Sequence, residues 1–174
     1  MRVRFAKLSI IVLTTYLGLV PIKVPLAENS AVVLMYHRFG EDAHPSTNIH
    51  LEQFEAHLQE LKKPAYTVLP LPEIIDRIRT KKPLPERTVG ISLDDAFLSV
   101  YKEAYPRLRE ARYPFTLFIA TNPLDRGRKG YMTWDQVREL VKSGATIGSQ
   151  THTHLHMAKS TPQQNKAELE TSNR

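Results

Sequence analysis

The sequence predicts an α/β fold in which a parallel sheet is built from strands that alternate with helices. Short apolar runs recur along the chain, and between them lie segments whose apolar residues are three and four positions apart. Continuous apolar runs are typical of strands covered on both faces, and the intervening spacing is typical of amphipathic helices. Acidic residues and histidines directly follow two of the runs, where parallel α/β folds collect their functional groups.

Five apolar runs predict the strands of this sheet. The first, residues 32–36, shows no polar alternation, so we expect both of its faces to be covered. The run over residues 115–120 is the clearest strand because it is rich in aromatic and β-branched residues. The other strands are predicted over residues 66–69, 89–93 and 145–148. Five strands are too few to close a barrel of about eight.

Local signals predict the helices of the first half of the chain. Apolar residues at steps of three and four give the first helix a buried face made of Leu51, Phe54, Leu58 and Leu61. A short second helix opens with Pro72, a favoured residue in a first helical turn. Residues 99–112 predict a third helix that must kink or restart at Pro106.

Capping signals mark the later helices. Thr133 with Gln136 three residues on forms a capping box, and Gly144 ends the helix that this box starts. The pair Thr161-Pro162 starts a last, polar helix that runs to the end of the sequence.

Composition limits the class of protein. The 174 residues are enough for one domain with a core, and the absence of cysteine excludes disulfides and thiolate metal ligands. The formal charge is +6, but residues 1–27 hold four basic residues and no acidic one, which leaves +2 for the rest. No basic stripe with interleaved aromatic residues occurs, so we expect no nucleic-acid partner.

The start of the chain resembles an export signal. Basic residues are followed by an apolar run over residues 8–20, the length of a signal-peptide core rather than of a membrane span. Cleavage at Ala27 or Ala31 would leave one domain over residues 31–174, in a periplasmic or extracellular protein. The alternatives are an uncleaved membrane anchor, which would be the chain's one membrane contact, or a buried first helix.

Two adjacent aspartates, Asp94 and Asp95, end the third predicted strand. In extended backbone their side chains point to opposite faces, so that one can bind a metal ion while the other acts as a base. The alternative is structural, because an aspartate at a strand end often caps a helix or forms an Asx turn.

Three histidines, His152, His154 and His156, follow the fifth predicted strand. His152 and His156 are four residues apart and would share one face of a helical turn, as metal ligands often do, whereas His154 would point elsewhere. A solvated polar turn is the alternative. His37, at the end of the first strand, is also placed to line this site. Carboxylates and imidazoles at strand ends favour a metal-assisted hydrolase.

These residues resemble the polysaccharide deacetylases with a NodB-type domain, carbohydrate esterase family 4. Residues 91–96 are similar to the family's T-F-D-D-G motif, and residues 147–154 to its G-x-H-[ST]-x-x-[HN] motif. Weaker similarities begin at Leu34, Tyr105 and Pro114, so that the resemblance covers residues 31–172.

The resemblance implies a distorted (β/α) barrel and a divalent metal ion, with zinc expected. It implies that Asp94 is the general base and Asp95 the first metal ligand. The implied reaction removes N-acetyl groups from a polysaccharide or chitooligosaccharide: a metal-bound water attacks the acetamide carbonyl while the base takes its proton.

The sequence departs from the family motifs at two positions. Ala96 replaces the motif glycine, which is tolerable if its φ is negative. Gln150 stands where the first ligand histidine is expected, and a neutral amide oxygen is a poorer zinc ligand than imidazole. In this register His154 is a ligand, and His152 is a candidate substitute for the missing one. Sliding the motif by two residues gives His152 and His156 instead.

A third departure concerns the later motifs of the family, which supply an arginine that orients the base and a histidine that acts as general acid. Neither motif occurs after His156. We therefore expect the chain to form the N-terminal portion of an incomplete barrel. The alternative function is that of a truncated, non-catalytic carbohydrate-binding remnant of the family.

Overall fold

The structure, a computed structural model, describes residues 30–174; the predicted leader over residues 1–27 lies outside them. The strands are β1 (Ala31–Tyr36), β2 (Arg38–Phe39), β3 (Asn48–Ile49), β4 (Thr67–Val68), β5 (Thr88–Asp94), β6 (Thr116–Ile119) and β7 (Thr146–Ser149). The α-helices are α1 (Leu51–Leu61), α2 (Leu71–Arg79), α3 (Tyr105–Ala111), α4 (Thr121–Asp125), α5 (Trp134–Lys142) and α6 (Pro162–Ser172). None of the helices within residues 30–174 is long and apolar enough to span a bilayer.

The main sheet is parallel, as predicted, and β5 lies at its centre. β1 pairs with β5 along almost its whole length, from Thr88 to Leu93. The other edge of β5 is shared, since β4 pairs with its first two residues and β6 with its last three. β7 extends the sheet beyond β6, and β2 and β3 form a separate small pair. This α/β arrangement is an open, incomplete (β/α) barrel.

The apolar runs of the sequence become the centre of the molecule. Every residue of β5 is buried, because strands and helices cover it on all sides. The core joins one face of the sheet to α1, α3 and α5, with the fully buried side chains Phe54, Ile91, Leu93, Leu108, Leu117 and Leu140 at its middle. Since β5 is fixed by this core, its last residue is held in place at the carboxyl edge of the sheet.

Two helix boundaries follow the predicted local signals. Gln136 donates its backbone N–H to Thr133 Oγ1 at 3.3 Å, and its Oε1 accepts the Thr133 N–H at 2.9 Å, which completes the capping box of α5. The segment before α3 is π-helical, and the N–H of Tyr105 donates to the carbonyl of Val100. This wide turn lies directly before Pro106. As predicted, the helix restarts there, because proline has no N–H to continue the helical hydrogen bonds.

One expectation for β1 is wrong. The side chains of Val32 and Met35 are 59% and 61% exposed, although their apolar run predicts a strand covered on both faces. Among the described strands β1 pairs with β5 alone, so it is an edge strand. The apolar character of its sequence does not distinguish an edge position from a central one.

Candidate active site

The strand that carries the aspartate pair ends in a strained turn. β5 stops at Asp94, and the next two residues, Asp95 and Ala96, have φ values of 70° and 55°. Both therefore lie in the left-handed region, which costs a non-glycine residue about 1–3 kcal/mol. Alanine is easily tolerated at position 96 only if its φ is negative, and this condition is not met. The pair also departs from the extended backbone expected for it.

Hydrogen bonds from distant segments hold this turn. The carbonyl of Ala96 accepts the N–H of Met132 at 2.9 Å. The N–H of Asp95 donates to Gln150 Oε1 at 3.1 Å. Ala96 is completely buried, so its methyl group also packs in the core. The strain of the turn is thus balanced by contacts that the local sequence does not contain.

Asp94 is a buried carboxyl group with an unsatisfied oxygen. It is 9% exposed, and among the described residues its Oδ1 has no hydrogen-bond partner. Burial raises the pKa of Asp94, and the neighbouring charge of Asp95 raises it further, against opposing effects of His37, Ser92 and His154. A raised pKa makes this carboxylate a stronger base, which suits the role predicted for it.

Gln150 connects the two aspartates. It follows β7, and its N–H donates to the carbonyl of Ile119 at 2.9 Å, which extends the pairing of β7 with β6 by one bond. While its Oε1 accepts the Asp95 N–H, its Nε2 donates to Asp94 Oδ2 at 3.4 Å. The residue at the expected ligand position therefore contacts both aspartates through its amide.

His154 lies beside Asp95. Its Nε2 is 3.6 Å from Asp95 Oδ1, and its ring is 60% exposed. The loop reaches this position through left-handed backbone at Thr151 and at His154 itself, with φ values of 66° and 61°. Glu168 of α6 fixes the loop from outside, accepting the N–H of Thr153 at 2.7 Å and its hydroxyl at 2.9 Å.

The other two histidines of the cluster lie apart from the aspartates. His152 turns toward α4, where its Nδ1 is 2.8 Å from Thr121 Oγ1 and its Nε2 is 3.2 Å from Asn122 Nδ2. His156 is exposed and precedes a short 3₁₀ turn. The structure thus brings together Asp94, Asp95, Gln150 and His154, the residues of the first motif register. His37 is close enough for its charge to lower the pKa of Asp94.

The donor atoms at this edge do not fit a catalytic zinc ion. Such an ion takes three protein ligands, whereas Asp95 and His154 supply one carboxylate and one imidazole. Within residues 30–174, no three His, Asp or Glu side chains are grouped so that they could hold a metal ion. The oxygen of Gln150 is nearby, but it is a neutral amide oxygen, a poorer zinc ligand than imidazole, and one of its two lone pairs already accepts a hydrogen bond.

Sequence reasoning missed three residues that shape the site. Thr121 and Asn122 fix the ring of His152, and Glu168 fixes the loop that carries His154. Thr121 and Asn122 lie 31 and 30 residues from His152, and Glu168 lies 15 residues from Thr153. No local pattern connects residues at such distances, so no signal in the sequence pointed to them.

Comparison with known proteins identifies relatives that match 78–79% of this chain. The protein YxkH of Bacillus subtilis (strain 168) is 32% identical over 138 residues, which are 79% of this chain and 48% of that protein. The poly-β-1,6-N-acetyl-D-glucosamine N-deacetylase of Staphylococcus aureus (strain MSSA476) is 30% identical over 156 residues, and the match covers 78% of this chain and 52% of the enzyme. The chain spans about half the length of these curated relatives.

A solved structure and a family sequence model complete the comparison. The structure of the Streptococcus pyogenes deacetylase PplD in complex with acetate shares the fold, with a TM-score of 0.73 at 21% identity over 82% of this chain and 65% of that chain. The sequence model described as polysaccharide deacetylase matches residues 81–174, more than half of the chain. The chain therefore belongs to the polysaccharide deacetylase family.

Proposed function

We propose that this chain hydrolyses N-acetyl groups of an N-acetylated polysaccharide or chitooligosaccharide. The observation that carries the proposal is the buried Asp94 carboxyl, with a free oxygen and a raised pKa, beside the Asp95–His154 pair. The name of the Staphylococcus aureus relative, a poly-β-1,6-N-acetyl-D-glucosamine N-deacetylase, supports this class of substrate.

The proposed chemistry assigns the proton transfer to Asp94. A water molecule attacks the acetamide carbonyl while Asp94 takes its proton; the C–N bond then breaks, and the proton passes to the leaving amine as acetate forms. His154 is exposed at the same edge and can donate a hydrogen bond to the tetrahedral oxyanion. The family is generally metal-dependent, and zinc is the ion that the resemblance to it implies.

A groove whose lining includes Ser149, the residue before Gln150, supports a sugar as substrate. It has a volume of about 520 Å³. Trp134 lines it together with Asp125, and the indole Nε1 donates to the Asp125 carboxylate at 2.9 Å. An aromatic ring beside convergent polar groups is a common surface for a small ligand.

Acetate release tests the proposal. The full chain is incubated with N-acetylglucosamine oligomers and with poly-β-1,6-N-acetylglucosamine, in the presence of zinc or cobalt, and acetate is measured. We expect release by the unmodified chain and a loss of about 100-fold or more in Asp94→Asn, the usual share of a general base. His156→Ala, which removes an exposed histidine, keeps the activity. Absence of acetate with every substrate and ion would contradict the proposal.

A second candidate function is sugar binding without turnover, and the amide of Gln150 at a ligand position favours it. This function predicts that oligomers of N-acetylglucosamine bind, as measured by calorimetry, while no acetate appears. It also predicts that Asp94→Asn leaves the dissociation constant unchanged, because the base contributes to the reaction rather than to binding.

The location of the protein is part of the same proposal. The basic start followed by an apolar run supports export, so we place the protein in the periplasm or outside the cell, where N-acetylated polysaccharides of the envelope are accessible. A membrane contact would arise through an uncleaved leader. N-terminal sequencing of the protein recovered outside the cytoplasm distinguishes a cleaved leader from a retained one.

A further inference from the structure

We infer that Gln150 is a hydrogen-bonding clamp between the two aspartates rather than a metal ligand, and that this chain consequently binds a divalent ion only weakly at Asp95 and His154. The inference deepens the proposed function, on which it rests for the assignment of this edge as the active site. It concerns the residues of this chain and not the affinity of its relatives for metal ions.

Both ends of the Gln150 amide have partners that fix its orientation. Oε1 accepts the N–H of Asp95 at 3.1 Å, and Nε2 donates to the carboxylate of Asp94 at 3.4 Å. The flipped amide would set an NH2 group against the N–H of Asp95 and an oxygen against the carboxylate of Asp94. Each of these contacts is repulsive, so the partners determine which end of the amide points to which aspartate.

The clamp limits what Gln150 can offer to a cation. An ion that recruited Oε1 as a ligand would have to share this oxygen with the Asp95 N–H, which already uses one of its two lone pairs. That N–H belongs to a turn whose next residue, Ala96, also has a positive φ, so its hydrogen bond helps to hold a strained backbone. A neutral amide oxygen is also a poorer zinc ligand than imidazole, so the gain would be small.

In the part of the chain that the structure describes, no third His, Asp or Glu, His37 included, joins Asp95 and His154 in a group that could hold a metal ion. Both ring nitrogens of His152 lie within hydrogen-bond distance of α4 side chains, at Thr121 and Asn122. Asp94 is buried and receives the amide of Gln150. Asp95 and His154 remain, two ligands where a catalytic zinc ion takes three.

Zinc affinity of the full chain, measured by competition with a chromophoric chelator and without sugar, tests the inference. We expect Gln150→His to tighten zinc binding by more than about tenfold, since even losing a hydrogen-bond partner of a ligand costs about 10–100-fold. Gln150→Glu, which keeps the length of the side chain and adds an anionic oxygen, also tightens binding. Gln150→Ala lowers the Tm because it removes the clamp that holds the turn at Asp95.

Two controls assign any gained affinity to this site. Adding His154→Ala to Gln150→His abolishes the gain, whereas adding His156→Ala, an exposed histidine outside the site, preserves it. An unchanged Tm in Gln150→Ala would overturn the inference, since Gln150 would then not clamp the two aspartates. The inference would also be overturned if neither Gln150→His nor Gln150→Glu gained zinc affinity while circular dichroism showed at least one of the two variants to be folded. Failure of the proposed function has a different signature, namely no acetate release and no sugar binding at any zinc affinity.

Discussion

The ring of His152 joins the loop after β7 to α4. Asn122 Nδ2 can only donate, so His152 Nε2 accepts and its Nδ1–H donates to Thr121 Oγ1 at 2.8 Å. The side chain is 22% exposed, and Asp125 Oδ2 lies 3.9 Å from Nδ1. These contacts give His152 a structural role between two segments, separate from the Asp95–His154 pair.

Replacing His152 by alanine should therefore affect stability. We expect His152→Ala to lower the free energy of unfolding by about 1–3 kcal/mol, the sum of two hydrogen bonds of about 0.5–1.5 kcal/mol each. Urea denaturation measures the change. His156→Ala, at an exposed position, should stay within about 0.5 kcal/mol of the unmodified chain. Equal effects of the two substitutions would show that the contacts of His152 are not stabilising.

At the level of elements, the packing of β6 on β7 places Gln150. The ring of Phe118 lies over Gly148, where an added Cβ would be 2.4 Å from two of its ring carbons. Only glycine allows the ring this close, and Gln150 lies two residues further along the chain, directly after the end of β7. The distance between the aspartates and the amide thus depends on a packing contact one strand away.

Gly148→Ala should disturb that contact. We expect a loss of about 1–3 kcal/mol in the free energy of unfolding, typical of an overpacked site. Combining it with Phe118→Leu removes the ring edge, so the additional cost of Gly148→Ala in that background should be smaller. Urea denaturation of the unmodified chain, the two single variants and the double variant gives the cost of Gly148→Ala with and without the ring of Phe118. A cost that is the same in both backgrounds would contradict the account.

The elements that the sequence predicts are those with local signals. The spacing of Leu51, Phe54, Leu58 and Leu61 and the capping box at Thr133 define α1 and α5 correctly, because each signal lies within its own helix. β2 and α4 carry no such signal. The N–H of Phe39 in β2 bonds to Ser99 Oγ, 60 residues away, and α4 receives its partners from the loop after β7. Their stability comes from tertiary contacts.

At the level of the whole molecule, the parallel sheet and the gathering of acidic and imidazole groups at its carboxyl edge follow from the sequence. The sequence places acidic residues and histidines directly after predicted strands, and this was sufficient to predict the gathering, because parallel strands bring their carboxyl ends to one edge of the sheet. The details of the site were not predictable from it. The positive φ of Ala96 and the bridging amide of Gln150 arise from contacts between β5, β7 and the segment at Met132, which no local pattern encodes.

The buried charge of Asp94 should make the stability of the whole fold depend on pH. Burial raises the pKa of Asp94 in the folded state, so the folded chain binds this proton at higher pH than the unfolded chain does. Its contribution to stability is full below the unfolded pKa of about 3.9 and is lost as the pH rises through the folded value.

Asp94→Asn removes this penalty. The variant should have a higher Tm than the unmodified chain at pH 7, and the difference should shrink as the pH falls through the raised folded-state pKa of Asp94 and be gone below about 4. Thermal unfolding across this range measures it. Asp135→Asn, whose side chain is 93% exposed, serves as the matched control and should show no such trend. A difference in Tm that is independent of pH would contradict the burial of a charged Asp94.

The carboxyl edge of the sheet, around Asp94, is the proposed binding site for an N-acetylated sugar. Backbone amide chemical shifts of the ¹⁵N-labelled full chain, recorded by NMR during titration with N-acetylglucosamine oligomers, test it most directly. We expect the largest shifts at Asp95, Gln150 and His154, and none at Arg112 and Gly144 at the opposite end of the sheet. Shifts confined to that opposite end, or no shifts at saturating sugar, would contradict it.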